Sequence, residues 1–236
     1  MQKGLLIDFW GTLFYPVVTI EEYHRLRSLK VAEALASNGY EFDVEDVYRA
    51  YIEARLLADE IRNNTFREVD LQGEIIIFLN KLNVKPNREL LKSLSEAYMY
   101  PYLTSMTMAL GAPELLIHAK SLGYKVIIAS NTFSGEHTLK LLKHKGLSTL
   151  FDAFAFSDEI AYRKPHPRFY SWIVYNTGII PTKSIFVGDE EADIIGAKNL
   201  GMKTVAYTGF HEYKGREKPD YTVKDMSEIK LLLETV

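Results

Sequence analysis

The chain has 236 residues, of which 47% are hydrophobic and 25% are charged. This length and composition suit one large domain or a core domain with a smaller insert, and they argue against a largely disordered chain. The formal net charge of −3 and the absence of a basic block interleaved with aromatic residues argue against a nucleic-acid partner. Because the chain has no cysteine, any metal must be held by oxygen or imidazole ligands.

No apolar stretch approaches the roughly 20 residues that cross a bilayer. Residues 1–4 lead directly into an apolar strand, which leaves no room for a cleavable signal segment. We therefore expect a cytoplasmic protein with no membrane association.

The first predicted strand ends at Asp8, within the segment Leu5–Leu13. An ionised carboxylate is costly inside such an apolar run, so Asp8 is expected at the carboxyl end of the strand, facing a crevice. Gly11 follows and predicts a tight turn. The position of Asp8 suits a nucleophile. Considered alone, Asp8 could instead be a turn residue or a helix cap.

Residues 16–102 carry amphipathic helical patterns and no convincing strand, which predicts an inserted helical domain. Proline, glycine and short polar residues interrupt the periodicity at Tyr15-Pro16 and again from Tyr100-Pro101 to Gly111. The four predicted helices are Ile20–Ser37, Val44–Ile61, Asp70–Leu82 and Asn87–Ala97.

The rest of the chain, residues 1–15 and 103–236, alternates short apolar runs with helical patterns, which predicts an α/β domain with a parallel sheet covered by helices. Helices are expected from near Pro113 to Gly123, from Ala192 to Gly201 and from Met226 to Leu233. The predicted strands after the insert are Lys125–Ser130, Ala153–Phe156, Ser184–Gly188, Lys203–Tyr207 and Asp220–Val223.

Polar residues follow four of the predicted strands. Since the carboxyl ends of parallel strands share one edge of a sheet, these residues are expected to meet there. A carboxylate, hydroxyls, an ammonium group and an acidic loop together suit phosphoryl transfer. The four groups are Asp8–Thr12, Ser130-Asn131, Arg163-Lys164-Pro165 and Gly188–Asp193.

Each group also has a simpler explanation when it stands alone. Ser130 and Asn131 suit a helix cap as well as a phosphate site. Lys164 suits a surface lysine, but Pro165 and Pro167 stiffen its loop, which is useful for a fixed counter-charge. The acidic loop places Asp189, Glu190, Glu191 and Asp193 within five residues, which indicates either a solvated turn or an Mg²⁺ site. All six histidines are interpreted as surface or packing residues.

Taken together, these residues resemble the haloacid dehalogenase superfamily. The resemblance lies in Asp8-Phe9-Trp10-Gly11-Thr12, Ser130, Lys164 and Gly188-Asp189 with Asp193, and it extends over nearly the whole chain. It implies a Rossmann-like core with an inserted helical cap. It also implies Asp8 as the nucleophile that forms a covalent aspartyl intermediate, and Thr12, Ser130 and Lys164 as the groups that balance the charge of phosphate. The amide of Asn131, expected to be exposed next to Ser130, is a further candidate for phosphate binding.

The same resemblance implies an Mg²⁺ site formed by Asp8, Asp189 and the backbone carbonyl of Trp10, with Asp193 as a supporting group. The family's phosphatases carry an Asp where this chain has Trp10, and an indole has no proton to give to a leaving group. Since general acid catalysis contributes about 10²- to 10⁴-fold, a phosphatase of this kind is expected to favour good leaving groups.

Two further functions remain open. An aromatic residue at position 10 is similar to the metal-free 2-haloacid dehalogenases, in which a cap arginine, here Arg49 or Arg55, would bind halide. A weakly active or non-catalytic binding protein is the other alternative. The acidic fourth motif favours an Mg²⁺-dependent phosphohydrolase acting on a small phosphorylated metabolite, because its charge without a cation would repel a carboxylate substrate.

Overall fold

A computed structural model describes residues 2–234. Six parallel strands form one sheet in the order β5-β4-β1-β6-β7-β8. The strands of this sheet are β1 (Lys3–Ile7), β4 (Tyr124–Ser130), β5 (Ala153–Phe156), β6 (Ile185–Gly188), β7 (Lys203–Tyr207) and β8 (Tyr221–Val223). The predicted α/β fold with a parallel sheet is confirmed.

The first strand lies inside the sheet, between β4 and β6. Leu6 pairs with Ile127 on one side and with Phe186 on the other, and all three side chains are fully buried. Strands buried on both faces are expected to be continuous apolar runs, as these are. This register brings the ends of β1, β4 and β6 to the same edge of the sheet.

Helices connect the strands and begin or end where the sequence provides the signals. Pro113 lies in the first turn of its helix, and Gly123, with φ of +78°, follows the end of that helix. The helices of this part are α5 (Ala112–Ser121), α6 (Gly135–His144), α7 (Ser157–Ile160), α8 (Pro167–Thr177), α9 (Glu191–Lys198) and α10 (Met226–Leu233). The ninth helix stops three residues before the predicted Gly201, because Asn199 to Gly201 form a turn.

Four helices lie between β2 (Phe14–Pro16) and β3 (Met106–Met108), two short strands that pair with each other and that the sequence did not predict. Each helix has an N-cap side chain that accepts a hydrogen bond from a backbone amide of the first turn. These helices are α1 (Ile20–Ser37), α2 (Val44–Thr65), α3 (Leu71–Lys81) and α4 (Arg88–Thr104).

The fourth helix is longer than predicted, because it continues through Pro101 to Thr104. Leu94, Tyr98 and Tyr102 follow one another at four-residue spacing and are buried on both sides of the proline. Packing of this continuous apolar face outweighs the single backbone donor that proline removes.

The chain divides into two compact units. The helical unit comprises Pro16–Met106, and the α/β unit comprises the residues up to Tyr15 and from Thr107 onward. The predicted second border after residue 102 falls inside α4, which is why the helical unit extends to Met106. The role of the helical unit as a cap stays a prediction.

Among residues 2–234, no helix combines the length and the apolar character needed to cross a membrane. The cytoplasmic location expected from the sequence stays a prediction.

Candidate active site

Asp8 directly follows β1 and is nearly buried, with 6% of its surface exposed. Its backbone amide donates to Val187 O on β6 at 2.9 Å, which fixes Asp8 at the edge where the strands end. Burial raises the pKa of Asp8 well above its usual value; the charge of Lys164 opposes this effect, and the charges of Asp193 and Asp189 add to it.

Lys164 lies among the carboxylates. Its Nζ lies 2.5 Å from Asp8 Oδ1 and 2.6 Å from Asp193 Oδ1, and it also donates to Ala129 O at 2.8 Å. Burial lowers the pKa of Lys164, but the charges of Asp193 and Asp8 outweigh that effect, so the pKa is raised and the ammonium stays charged. One buried cation thus joins residues that follow β1 and β6.

Asn131 positions the backbone of Lys164. The Asn131 Oδ1 accepts from Lys164 N at 2.7 Å, and its Nδ2 donates to Lys164 O at 3.2 Å. The amide that the sequence assigned to phosphate therefore holds the lysine loop. Ser130 is buried as the last residue of β4.

The acidic loop after β6 folds back on itself. Asp193 Oδ2 accepts from Asp189 N at 3.2 Å and from Glu190 N at 3.0 Å, which places both loop residues at the start of α9. Glu191 Oε1 accepts from Arg216 N and Glu217 N, so it binds a different loop. Of the four loop acids, Asp189 and Asp193 are the two that lie next to Asp8.

Asp189 packs against the turn that follows Asp8. Its Oδ1 accepts from Thr12 Oγ1 at 2.9 Å. Gly11 has a φ of +82°, and a Cβ on it would lie 2.2 Å from Asp189 Oδ2. Glycine is needed at position 11 for both reasons: the left-handed backbone and the contact with the carboxylate. The Thr12 hydroxyl, predicted to bind phosphate, holds Asp189 in this structure.

The carboxylates fit a divalent cation. Oxygen atoms of Asp8, Asp189 and Asp193 lie within 4.8 Å of one another, and all three residues are buried. Lys164 supplies one positive charge against three carboxylates. Although Lys164 Nζ lies 2.6 Å from Asp193 Oδ1, that oxygen accepts no well-directed hydrogen bond among the described residues. Hard oxygen donors with excess negative charge are the donor set that Mg²⁺ prefers.

His211 also reaches this site, so the interpretation of all six histidines as surface or packing residues is wrong for this one. Its Nε2 lies 3.0 Å from Asp189 Oδ2, and the hydrogen bond to Asp189 raises the pKa of His211. His211 lies in the loop after β7, the strand next to β6. The contact depends on the order of the strands in the sheet, and no motif around His211 predicts it.

Trp10 is half-buried and contacts Tyr15 edge-on, with 6.0 Å between ring centroids. Tyr15 stacks on Phe210 at 5.5 Å and packs against the ring of His211 at 5.6 Å. An aromatic cluster therefore stands where the resemblance led one to expect a second carboxylate.

The two candidate arginines lie on α2 in the helical unit. Arg49 is 71% exposed and lies 3.4 Å from Asp46, whereas Arg55 is 38% exposed and lies 3.6 Å from Asp59. Contact of either arginine with a substrate stays a prediction.

Comparisons with known proteins identify the family of this chain. A family model described as haloacid dehalogenase-like hydrolase matches residues 2–201. The chain is 26% identical over 226 residues to a ribulose-1,5-bisphosphate 5-phosphatase of Halopiger xanaduensis, covering 93% of this chain and 90% of that one. It is 24% identical over 237 residues to a glyceraldehyde 3-phosphate phosphatase of Methanopyrus kandleri, covering 97% and 96%.

Solved structures share the fold. A phosphatase of the same family from Thermococcus onnurineus superposes with a TM-score of 0.69 at 20% identity, covering 98% of both chains. The L-2-haloacid dehalogenase of Xanthobacter autotrophicus superposes with a TM-score of 0.65 at 20% identity, covering 99% of both. The resemblance drawn from the motifs is confirmed: the chain belongs to the haloacid dehalogenase-like hydrolases.

Proposed function

We propose that this hydrolase is an Mg²⁺-dependent phosphohydrolase that acts on a small phosphorylated metabolite through an aspartyl-phosphate intermediate on Asp8. The observation that carries the proposal is the buried group of Asp8, Asp189 and Asp193 with Lys164 as the counter-charge. Relatives named as phosphatases of ribulose-1,5-bisphosphate and glyceraldehyde 3-phosphate support a substrate of this class.

Asp8, Asp189 and the backbone carbonyl of Trp10 would hold the metal ion, with Asp193 orienting Asp189 and Glu190 through their amides. When bound, Mg²⁺ offsets carboxylate charge and polarises a phosphoryl oxygen. This assignment uses the same three buried carboxylates that lie within reach of one another.

Asp8 acts as the nucleophile. One carboxylate oxygen forms a bond to phosphorus while the bond from phosphorus to the leaving oxygen breaks, and the leaving group takes the electron pair. Lys164 and Ser130 bind the phosphoryl oxygens and balance their charge. Water then attacks phosphorus, the bond to Asp8 breaks, and Asp8 takes the electron pair and is released as the carboxylate, while both protons of the water leave with the product as dihydrogen phosphate.

Trp10 shapes the choice of substrate. Because the indole holds no titratable proton, the leaving oxygen departs without an acid at this position. Acyl phosphates and aryl phosphates, whose leaving groups are weak bases, are therefore preferred over alkyl phosphates.

Dehalogenation of a 2-haloacid is the second candidate, and Trp10 is the observation that favours it. In that reaction Asp8 attacks carbon and halide leaves, with no metal. The charge of the site affects the two substrates differently. The carboxylates around Asp8 would repel a carboxylate substrate, whereas a bound cation would attract a phosphate.

One paired assay separates the candidates. Phosphate release from p-nitrophenyl phosphate is measured with Mg²⁺ and with EDTA, and halide release from L-2-chloropropionate is measured with EDTA. We expect phosphate release only with Mg²⁺ and no halide release. Halide release in EDTA without phosphatase activity would establish the dehalogenase, and inactivity in every arm would favour a non-catalytic binding protein.

A further inference from the structure

Both oxygens of the Asp189 carboxylate are engaged by side chains from elsewhere in the chain. Thr12 Oγ1 donates to Oδ1 at 2.9 Å, and His211 Nε2 lies 3.0 Å from Oδ2. The Asp189 side chain is 3% exposed, whereas that of His211 is 35% exposed. The histidine therefore reaches the buried carboxylate from the solvent side.

The position of His211 is itself supported. Its ring packs against Tyr15 with 5.6 Å between centroids, and Tyr15 in turn contacts Trp10 and Phe210. Its Nδ1 lies 3.2 Å from Glu212 O. The aromatic residue that replaces a carboxylate at position 10 is thus part of the packing that holds the histidine beside Asp189.

Three buried carboxylates repel one another, and the side chain of His211, which contacts Asp189, is partly exposed to solvent. Without a donor on each oxygen, rotation of the Asp189 carboxylate toward water would relieve the repulsion. Groups that orient metal-binding carboxylates commonly change metal affinity by 10- to 100-fold, although they do not touch the ion.

We infer that His211 is a positioning residue that fixes the Asp189 carboxylate toward Asp8 and thereby sets the divalent-metal affinity of the site, an inference that rests on the proposed function. Each Asp189 oxygen keeps a lone pair after accepting one hydrogen bond, so the histidine and the cation share the carboxylate. His211 acts through Asp189 and makes no contact with the reacting atoms.

The test measures Mn²⁺ binding to the full chain by the loss of the free-ion electron paramagnetic resonance signal. His211→Phe keeps a ring against Tyr15 and removes the donor, whereas His211→Gln keeps an N–H donor near the position of Nε2. We expect the Kd of His211→Phe to rise about 10- to 100-fold and that of His211→Gln to return toward the wild-type value. His144→Phe, at an exposed position at the end of α6, is the matched control and should leave the Kd unchanged.

A second readout separates positioning from general loss of structure. In steady-state assays, His211→Phe should raise the Mg²⁺ concentration needed for half-maximal activation while kcat at saturating Mg²⁺ is largely kept. Thermal unfolding in EDTA shows whether the variants are folded. Should His211→Phe fail to fold, the comparison between wild type and His211→Ala is made by the same two readouts.

The outcomes distinguish this inference from the proposed function. A Kd in His211→Phe that equals the wild-type value, or is lower because the histidine competes with the ion for Asp189, overturns the inference alone. A wild-type protein that binds no Mn²⁺ at all overturns the inference together with the proposed metal requirement.

Discussion

Lys164 Nζ lies 2.5 Å from Asp8 Oδ1, although the two residues are 156 positions apart in the chain. The same nitrogen lies 2.6 Å from Asp193 Oδ1. The only cationic side chain paired with Asp8 among the described residues is therefore shared with a second buried carboxylate. Asp8, the proposed nucleophile, and the acidic loop are linked electrostatically through one ammonium group.

Replacing Lys164 by Met should destabilise the metal-free protein, because Asp8 and Asp193 would remain buried with no opposite charge. Removing one partner of a buried ion pair costs about 3–5 kcal/mol, and added Mg²⁺ should restore part of it. The measurement is urea unfolding in EDTA and in Mg²⁺. Lys145→Met, at an exposed position, should leave the free energy of unfolding unchanged in both conditions. An equal loss of stability in Lys145→Met and Lys164→Met would contradict the prediction.

Asp8→Asn should abolish phosphate release, because the amide is not a nucleophile. The fold should be kept, because the substitution removes one of three mutually repelling carboxylates. Its loss of stability in EDTA should be smaller than that of Lys164→Met. Phosphate release and urea unfolding are measured on the same preparations, with the exposed Asp46→Asn as the activity control. Retained turnover would remove Asp8 as the nucleophile.

Trp10→Asp should raise the turnover of alkyl phosphates, with about 10²- to 10⁴-fold as the upper range for a supplied general acid. The gain for p-nitrophenyl phosphate should be smaller, since its leaving group needs no proton. Trp10→Asn is the matched control, because it removes the indole and supplies no titratable group. Equal gains for both substrates, or equal gains in both variants, would show that the missing proton is not what limits turnover.

Gly11→Ala should weaken metal binding and lower turnover, because the new methyl group would lie 2.2 Å from Asp189 Oδ2. Gly123→Ala is a matched control in the same unit: its φ is +78°, close to the +82° of Gly11, and nothing lies within 4 Å of its added Cβ. Both substitutions carry the left-handed backbone cost of about 1–2 kcal/mol. The Mn²⁺ Kd should change only in Gly11→Ala, and a similar Kd in both variants would show that Asp189 adjusts to the contact.

His24 should make stability depend on pH within the helical unit. Burial, together with the charges of Arg55 and Arg27, lowers the pKa of His24 to about 3, and its Nδ1 lies 2.7 Å from the Tyr51 hydroxyl. In the unfolded chain His24 takes up a proton below about pH 6.5, whereas in the folded protein it stays neutral. The contribution of His24 to the free energy of unfolding is thus fully present above about pH 6.5 and is lost as the pH falls.

Between about pH 6 and pH 4, protonation of His24 in the unfolded chain should lower the free energy of unfolding by up to about 1.4 kcal/mol per pH unit. Urea unfolding across this range is compared between the wild type and His24→Gln, which keeps a polar side chain and removes the titration. The other five histidines are common to both proteins, so the difference in slope isolates His24. Identical slopes would show that His24 is protonated in the folded protein as readily as in the unfolded one.

The sequence predicted the sheet because its strands are continuous apolar runs, and a parallel sheet brings strand ends to one edge. For this reason Asp8, Lys164, Asp189 and Asp193 were identified as one group, and the structure brings them into contact. The length of α4 was not predicted, because the local cost of Pro101 is outweighed by packing of its buried face.

Contacts between loops that are distant in the chain also could not be predicted from the sequence. His211 meets Asp189 because β7 lies beside β6, and nothing in the residues around His211 marks it as different from the other histidines. Asn131 was assigned to phosphate by its residue type and Thr12 by the family resemblance. In the structure their side chains also hold Lys164 and Asp189, which the sequence did not predict, and phosphate binding by either residue stays a prediction.

Residue type and spacing along the chain were enough to determine the alternation of strands and helices, the family and the group of polar side chains that meet at the edge of the sheet, since these follow from local hydrophobic periodicity and short motifs. Only the tertiary structure decided which atom of each side chain faces which partner. Those choices depend on the register of non-adjacent strands and on burial, which set the distances and the pKa values at the site.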